Sequence, residues 1–356
     1  RTLLAEAQHF GLPELAALVK SQMAEMAVAV VVARLRTGAA TDDRALECDG
    51  RSWAFDRVFG STAAQADVAH ATIGLVGERL LEGLSSTVLA FGGRGTGKSH
   101  SLFGPDFGEL YEDSAPGAGL CQRVLADVFA SGGRSVVEIC CLRIVGGEPL
   151  DLLAGVGLPR HVEGPRRFPP LGASLASPAS LDAAVELLAD AHARGRDRPG
   201  HTVVSLRVRG RNRGCDHSVE GRVQLLDLSS TGADAEGSDV RHLEAQLQIV
   251  AEGTGFPDCR GSVLSSLLED TLCGWSSCHA IIALDPRDAG GTLRSCRFGA
   301  WLQRLQSGCD VPNDFVAEPQ NLTKVIRQQQ REKKHSLKKV RFNSILIRLN
   351  STLMRH

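Results

Sequence analysis

The chain has 356 residues, 43% hydrophobic and 23% charged, so it can bury a sizeable core without disulfide staples, in one large domain or two to three small ones. Its 40 Lys and Arg against 41 Asp and Glu leave a net charge of −1, which points away from nucleic acid as a partner. No apolar run is as long as a membrane span, the longest being Met26–Ala33, and no basic stretch followed by an apolar one marks a secretory leader. The first residue is Arg1 and not Met, so a piece of a longer protein is expected. Ten cysteines occur without a Cys-x-x-Cys pair. They read as free thiols of a reducing cytoplasm rather than as a zinc site or a disulfide framework.

In chain order, residues 2–20 place Leu3, Leu4, Ala7 and Phe10, then Leu12, Leu15 and Leu18, at helical spacing around a break at Gly11-Leu12-Pro13. Val28–Arg36 is a β-branched run and predicts a buried strand. Asp67–Leu84 predicts a helix, Thr87–Phe91 a short apolar strand, and 98–103 the start of the next helix. Ser135–Leu142 predicts a strand and Leu181–Ala193 a helix capped by Ser180. Thr202–Arg213 alternates, with Val204, Leu206 and Val208 on one face and Arg207, Arg209 and Arg211 on the other, which predicts a half-buried strand with a solvated arginine face. Arg222–Leu228 and Ala280–Leu284 predict strands, Ser262–Leu272 and Leu293–Leu305 helices. Strands alternating with helices predict an α/β fold, a mixed sheet covered on both faces.

The charge is unevenly spread. Residues 321–356 carry 10 Lys and Arg against Glu332 alone, leaving 30 basic and 40 acidic residues before them. The expected organisation is an N-terminal helical segment over 1–25, a main domain over 26–306, a linker over 307–320 and a basic tail over 321–356. The tail places Leu322, Val325 and Ile326 at helical spacing, too briefly to establish a coiled coil.

The most informative stretch is Gly92-Gly93-Arg94-Gly95-Thr96-Gly97-Lys98-Ser99, which matches G-x-x-x-x-G-K-[ST] in full between a predicted strand and a predicted helix. Glycines let backbone N–H groups turn toward phosphate oxygens, and the helix that follows presents its positive end. Lys98 is positioned for the β- and γ-phosphates and the Ser99 hydroxyl for Mg²⁺. Residues 1–323 contain 28 Arg but only Lys20 and Lys98 as lysines. A compact ammonium at that one position fits inside a phosphate loop where a guanidinium does not. No His-Glu-x-x-His or Gly-x-Ser-x-Gly pattern points to a zinc enzyme or a serine hydrolase.

Thr87–Gly104, with Val30–Arg36, Phe55–Phe59, Asp151-Leu152-Leu153, Val223–Leu228, Arg260–Leu272 and Ala280–Leu305 in the same order, resembles a kinesin motor domain over residues 26–306. The resemblance implies a kinesin-like P-loop NTPase fold, a central mixed, mainly β-sheet flanked by helices. It implies ATP or ADP with Mg²⁺ as ligand, microtubules as partner, and a cytoplasmic, cytoskeletal location. It implies that Lys98 and Ser99 contact phosphate and Mg²⁺, that Asp227 holds Mg²⁺ through a water, and that Arg34, Arg36 and His100 lie by the base. Residues 1–20 resemble, more weakly, the last helices of a BTB or tetramerisation domain, which implies a homo-oligomer formed through this segment or through the tail.

The departures from the family pattern are correlated. The first switch, Asn-x-x-Ser-Ser-Arg-Ser-His in kinesins, is Arg194-Gly195-Arg196-Asp197-Arg198-Pro199-Gly200-His201 here, with only His201 retained. The second, Asp-Leu-Ala-Gly-Ser-Glu, is Asp227-Leu228-Ser229-Ser230-Thr231-Gly232. The Arg and Glu that close the two switches are thus Pro199 and Gly232, and the γ-phosphate-sensing Gly is Ser230. The Lys and Tyr of the microtubule-facing helix are Val263 and Cys259, and the Glu of Glu-Ile-Tyr-Asn is Arg143. Three functions stay open at this point: a nucleotide-binding motor domain with impaired hydrolysis, a working microtubule-stimulated ATPase, and a nucleotide-independent scaffold.

Overall fold

The protein is described by a computed structural model over residues 27–38, 40, 42–105, 117–131, 135–160, 168–211, 218–229 and 235–307. The chain divides into two units, Arg1–Asn313 and Asp314–His356. The second unit, with the basic tail, lies outside the described residues, as does the helical segment expected over 1–25.

The strands are β1 (Ala27–Val28), β2 (Val30–Leu35), β3 (Ala45–Cys48), β4 (Arg51–Ala54), β5 (Arg57–Phe59), β6 (Ser85–Gly92), β7 (Val136–Val145), β8 (Glu148–Asp151), β9 (Val156–Gly157), β10 (His201–Arg211), β11 (Ser218–Asp227), β12 (Ser277–Leu284) and β13 (Gln306–Ser307). The α-helices are α1 (Gln65–Ile73), α2 (Val76–Leu81), α3 (Lys98–Phe103), α4 (Leu120–Ala130), α5 (Leu181–Gly195), α6 (Ala235–Glu252), α7 (Val263–Leu267), α8 (Glu269–Leu272) and α9 (Ala289–Leu302), with one 3₁₀ turn at Pro170–Gly172.

Among the described residues, nine strands form one mixed sheet in the order β5-β2-β12-β6-β11-β10-β7-β8-β9. The strands β5, β2, β12, β6 and β11 run parallel, and the β11-β10-β7-β8-β9 side is antiparallel. β6 and β12 are buried at every residue, as expected of parallel strands covered on both faces. One core, under α3, α4 and α5, contains Val88, Val204, Leu225 and Leu188. The other, under α6, α7 and α9, contains Leu89, Val203, Leu243 and Phe298. This is the α/β architecture expected from the sequence.

The predicted strands all form and are mostly longer than their apolar runs, because ladder pairing continues through polar residues such as Ser85 and Glu220. Two predicted helices are broken. The 67–84 helix is split at Gly74-Leu75, and α2 packs on α4 at Gly77, where a Cβ would come within 2.7 Å of Asp127 Cβ. The 262–272 helix is split at Leu268, with Ser262 capping α7 by accepting the Ser265 N–H at 3.1 Å. Helices α4 and α6 and the β3-β4 hairpin were not expected. Ser180 caps α5 as expected, accepting from Ala183 N at 3.2 Å.

The arginine face of β10 is a correction. Val203 and Ser205 are buried as fully as Val204 and Leu206, so the strand is covered on both sides. Arg207 Nε donates to Glu138 Oε2 at 2.6 Å and its guanidinium lies 4.6 Å from the centre of the Phe168 ring. Arg209 Nη2 donates to Glu138 Oε1 at 2.8 Å, and Arg222 Nε to Glu220 Oε1 at 2.7 Å. Glu138 and Glu220 are buried. Alternation along one strand reports which side chains share a face, and neighbouring strands decide whether that face meets water. The arginines at 207 and 209 neutralise carboxylates that could not be buried alone. The eight cysteines among the described residues are free thiols, as expected.

Phe91, at the end of β6, stacks on Phe298 of α9 with ring centroids 3.9 Å apart, and both rings are fully buried. Replacing Phe298→Ala should lower unfolding stability by about 3–5 kcal/mol. The same change at Phe256, which is 91% exposed, should cost no more than about 0.5 kcal/mol. Urea unfolding of the two variants checks the pair; equal midpoints would contradict the packing role.

Candidate functional site

β6 is an interior strand of the sheet, flanked by β12 and β11, both parallel to it. At its C-terminal end the chain turns through residues 93–97 into α3. Gly92 makes the turn possible: a Cβ there would sit 2.0 Å from the Ala283 carbonyl oxygen of β12, so any side chain would force the two strands apart. Thr96 Oγ1 closes the loop by donating to Gly93 O at 2.9 Å. Gly97 stands at the start of α3 with φ +96°, in the left-handed region that favours glycine, and a Cβ there would meet no atom within 4 Å. The space beside Gly97, at the start of the helix, is therefore open.

Lys98, the first residue of α3, is buried, and its Nζ donates to the carbonyls of Gly92 at 2.9 Å and Gly93 at 2.6 Å. Burial lowers its pKa and the Asp227 charge opposes that shift. The ammonium is thus already held inside the loop, where an incoming phosphate would meet it. Ser99, next on α3, is exposed and its hydroxyl donates to Asp227 Oδ2. Asp227 ends β11, opposite Ala90 of β6. Burial pushes its carboxyl above the usual range, against the Ser99 hydrogen bond and the charges of Lys98, Arg143 and His192. Asp227 Oδ1 is buried and takes no hydrogen bond among the described residues. An orphaned carboxylate oxygen beside a serine hydroxyl at the mouth of a phosphate loop fits a hydrated Mg²⁺ ion. Among the described residues no three His, Cys, Asp or Glu side chains cluster to hold a metal, so Ser99, Asp227 and the ligand's own phosphates would have to share it.

The residues expected by the base divide into two groups. Arg34, on β2, is turned inward: its Nη1 donates to Ser101 Oγ at 2.8 Å and to Gln65 Oε1. Gln65 Nε2 in turn donates to the His100 carbonyl at 2.7 Å. Arg34 and Gln65 therefore tie the first turns of α1 and α3 together. Arg36 and His100 are exposed, and the Arg36 guanidinium reaches Gly95, where a Cβ would lie 2.8 Å from Nη1. Arg94 is exposed on the loop. Sequence reasoning missed Gln65, because nothing local distinguishes a buried glutamine at a helix start from a solvated one.

His201 is fully buried at the start of β10, and its Nδ1 accepts from the Ser229 N–H at 2.8 Å. That bond leaves the ring proton on Nε2 and joins the segment entering β10 to the one leaving β11. Pro199 is exposed; Ser230, Thr231 and Gly232 lie outside the described residues. Val263 and Cys259 are buried in the core.

With this geometry in place, the comparisons with known proteins are specific. A family model of the kinesin motor domain matches residues 16–161. The kinesin heavy chain of Botryotinia fuckeliana is 25% identical over 327 residues, covering 82% of this chain and 36% of that protein. The kinesin-like protein Nod of Drosophila melanogaster is 25% identical over 323 residues, covering 81% of this chain and 46% of Nod. This chain thus spans less than half the length of either relative. The solved structure of a fast kinesin superposes with a TM-score of 0.71 at 21% identity, over 80% of this chain and 94% of that one. In motif, sheet order and sequence the chain is thus similar to kinesin motor domains, at no more than 25% identity to the relatives named.

Proposed function

We propose that this chain binds ATP or ADP with Mg²⁺ on the 92–99 loop, associates with microtubules, and hydrolyses ATP slowly or not at all. The observation that carries the reading is the loop: a glycine turn with Lys98 held on its carbonyls and Ser99 paired to a carboxylate with one oxygen unused among the described residues. Hydrolysis in such a fold depends on closing two segments around the γ-phosphate and positioning a water. Here the switch serines, the sensing glycine and both ends of the closing ion pair are absent together at 197, 198, 200, 230, 199 and 232. Losing one end of that pair would strand a partly buried charge at roughly 3–5 kcal/mol; losing both avoids the cost while giving up closure.

Microtubule association rests on the family and on charge. The fast kinesin of similar fold is described for its interactions with microtubules. Residues 1–320 of this chain carry a net −10 and 321–356 a net +9, so the basic segment supplies attraction to an acidic polymer that the rest opposes. A cytoskeletal location follows, and self-association would run through residues 1–25 or the tail. No helix of the described residues is long and apolar enough to cross a membrane.

Lys98→Ala should weaken a fluorescent ATP analogue by roughly 10- to 100-fold, the worth of a charge-assisted hydrogen bond; unchanged affinity would remove the loop assignment. Steady-state turnover, with and without microtubules, should stay far below the ~10 per second of an ordinary enzyme. Ser230→Gly, Pro199→Arg or Gly232→Glu alone should not raise it, since residues that act as a unit restore activity only together. Binding with stimulated turnover would identify a working motor, and neither binding nor turnover a scaffold. Truncation after Asp310 should reduce cosedimentation with microtubules, and binding by the intact chain should fall steeply with added salt; equal, salt-insensitive binding by both would contradict the electrostatic tether.

A further inference from the structure

Strand register sets four residues in one row: Ala90 of β6 opposite Asp227 of β11, Asp227 opposite Thr202 of β10, and Thr202 opposite Arg143 of β7. Residues directly opposite share a face of the sheet. Their alternate neighbours Val88, Leu225, Val204 and Cys141 all lie in the core under α3, α4 and α5. Arg143 therefore emerges on the face that carries Lys98 and Ser99, two strands beyond Asp227.

Arg143 is hydrogen-bonded there through two of its nitrogens. Its Nε donates to the Arg198 carbonyl at 2.8 Å and its Nη1 to Thr202 Oγ1 at 2.5 Å. Its aliphatic stem lies under Gly195, where a Cβ would come within 3.4 Å of Arg143 Cδ. The turn from α5 to β10, residues 196–200, is thus fastened to β7 at its centre. Its flanks are fastened too. Arg194 Nη1 donates to the carbonyls of Leu152 and Leu153 at 2.9 and 3.0 Å, and Gly200 approaches the Ile144 carbonyl so closely that a Cβ would lie 2.1 Å from the oxygen. None of these hydrogen bonds passes through the 92–99 loop; Arg143 reaches that edge only through its charge, which acts on Asp227. A ligand moves a segment only through contacts that differ between two states, and the hydrogen bonds holding this turn run to β7, β10 and the Leu152-Leu153 turn after β8 instead.

We propose that Arg143 is a positioning residue that straps the 196–200 turn to β7, so that the turn keeps one position whether or not a nucleotide occupies the phosphate loop. The nucleotide-independence rests on the reading of that loop given above; the strap itself does not. A guanidinium suits the task because its rigid fork serves two acceptors at once, which an ammonium on a flexible stem does less well.

Hydrogen exchange of the full chain, read by mass spectrometry, tests it. Exchange is followed in peptides covering 194–202, with 92–99 and β12 as references, without nucleotide and with saturating ADP or ATPγS. In the wild type, 92–99 should slow on nucleotide while 194–202 changes by less than about twofold. Arg143→Ala should speed 194–202 by about tenfold, the loss of a strong hydrogen bond, and leave β12 unchanged. Arg143→Lys should recover part of the protection. Thr202→Val, which removes one acceptor and keeps the arginine, should give a smaller rise at the same peptide and serves if Arg143→Ala does not fold. Tenfold protection of wild-type 194–202 by bound nucleotide, unaltered exchange in the Arg143 and Thr202 variants, or an equal rise in every peptide would each overturn the strap. If no nucleotide binds and 92–99 never responds, the loop assignment fails, and the nucleotide-free comparison of Arg143→Ala with wild type still decides the strap.

Discussion

Gly92 lies so close to the Ala283 carbonyl that no side chain fits between β6 and β12, and the loop edge of the sheet is arranged around that contact. β6 is buried along its whole length, so its direction is imposed by the sheet. Because the two parallel strands stay in register up to the last residue of β6, the chain must leave the sheet abruptly. It does so through glycines, and α3 then begins with its N-terminus against the loop. Lys98 and Ser99 are the first two residues of that helix. Their placement follows from strand pairing and one forbidden Cβ.

Electrostatics at this edge is a balance of partial burials. Lys98 is held by two backbone carbonyls, a weaker match for an ammonium than a phosphate. Asp227 is raised by burial and restrained by Ser99, Lys98, Arg143 and His192. The carboxylate keeps one oxygen unused among the described residues while Lys98 and Arg143 compensate its charge. Such a site favours an anion and a divalent cation arriving together over either alone, since each offsets the charge the other brings.

Away from the edge, the same sheet uses charge structurally. Arg207 lies between the carboxylates of Glu138 and Glu220 and the ring of Phe168. This network lets β7, β10 and β11 stay buried beyond the apolar core, and it joins the segment at Phe168 to the sheet. A buried carboxylate deprived of its arginine would cost about 3–5 kcal/mol, so these polar groups specify strand register where apolar side chains alone would permit slippage.

Much of this was legible in the residues. The runs at 28–36, 87–91 and 280–284 are apolar enough to declare buried strands, and G-x-x-x-x-G-K-[ST] between a strand and a helix announces its loop, because both signals are local. The helix break at Gly74 and the unexpected α6 were less visible. A glycine within a helical pattern does not say whether the chain bends there, and α6 spaces Val240, Leu243 and Leu247 thinly among polar residues. Only the tertiary structure decided which charges are spent inside. Arg34 turns toward Ser101 and Gln65, Arg207 toward Glu138, and Arg143 toward the turn before β10, whereas Arg36 stays exposed. These arginines look alike along the chain. What separates them is the partner each meets across 31 to 69 residues of sequence, and that pairing is set by strand order and register, which no local pattern of residue types encodes.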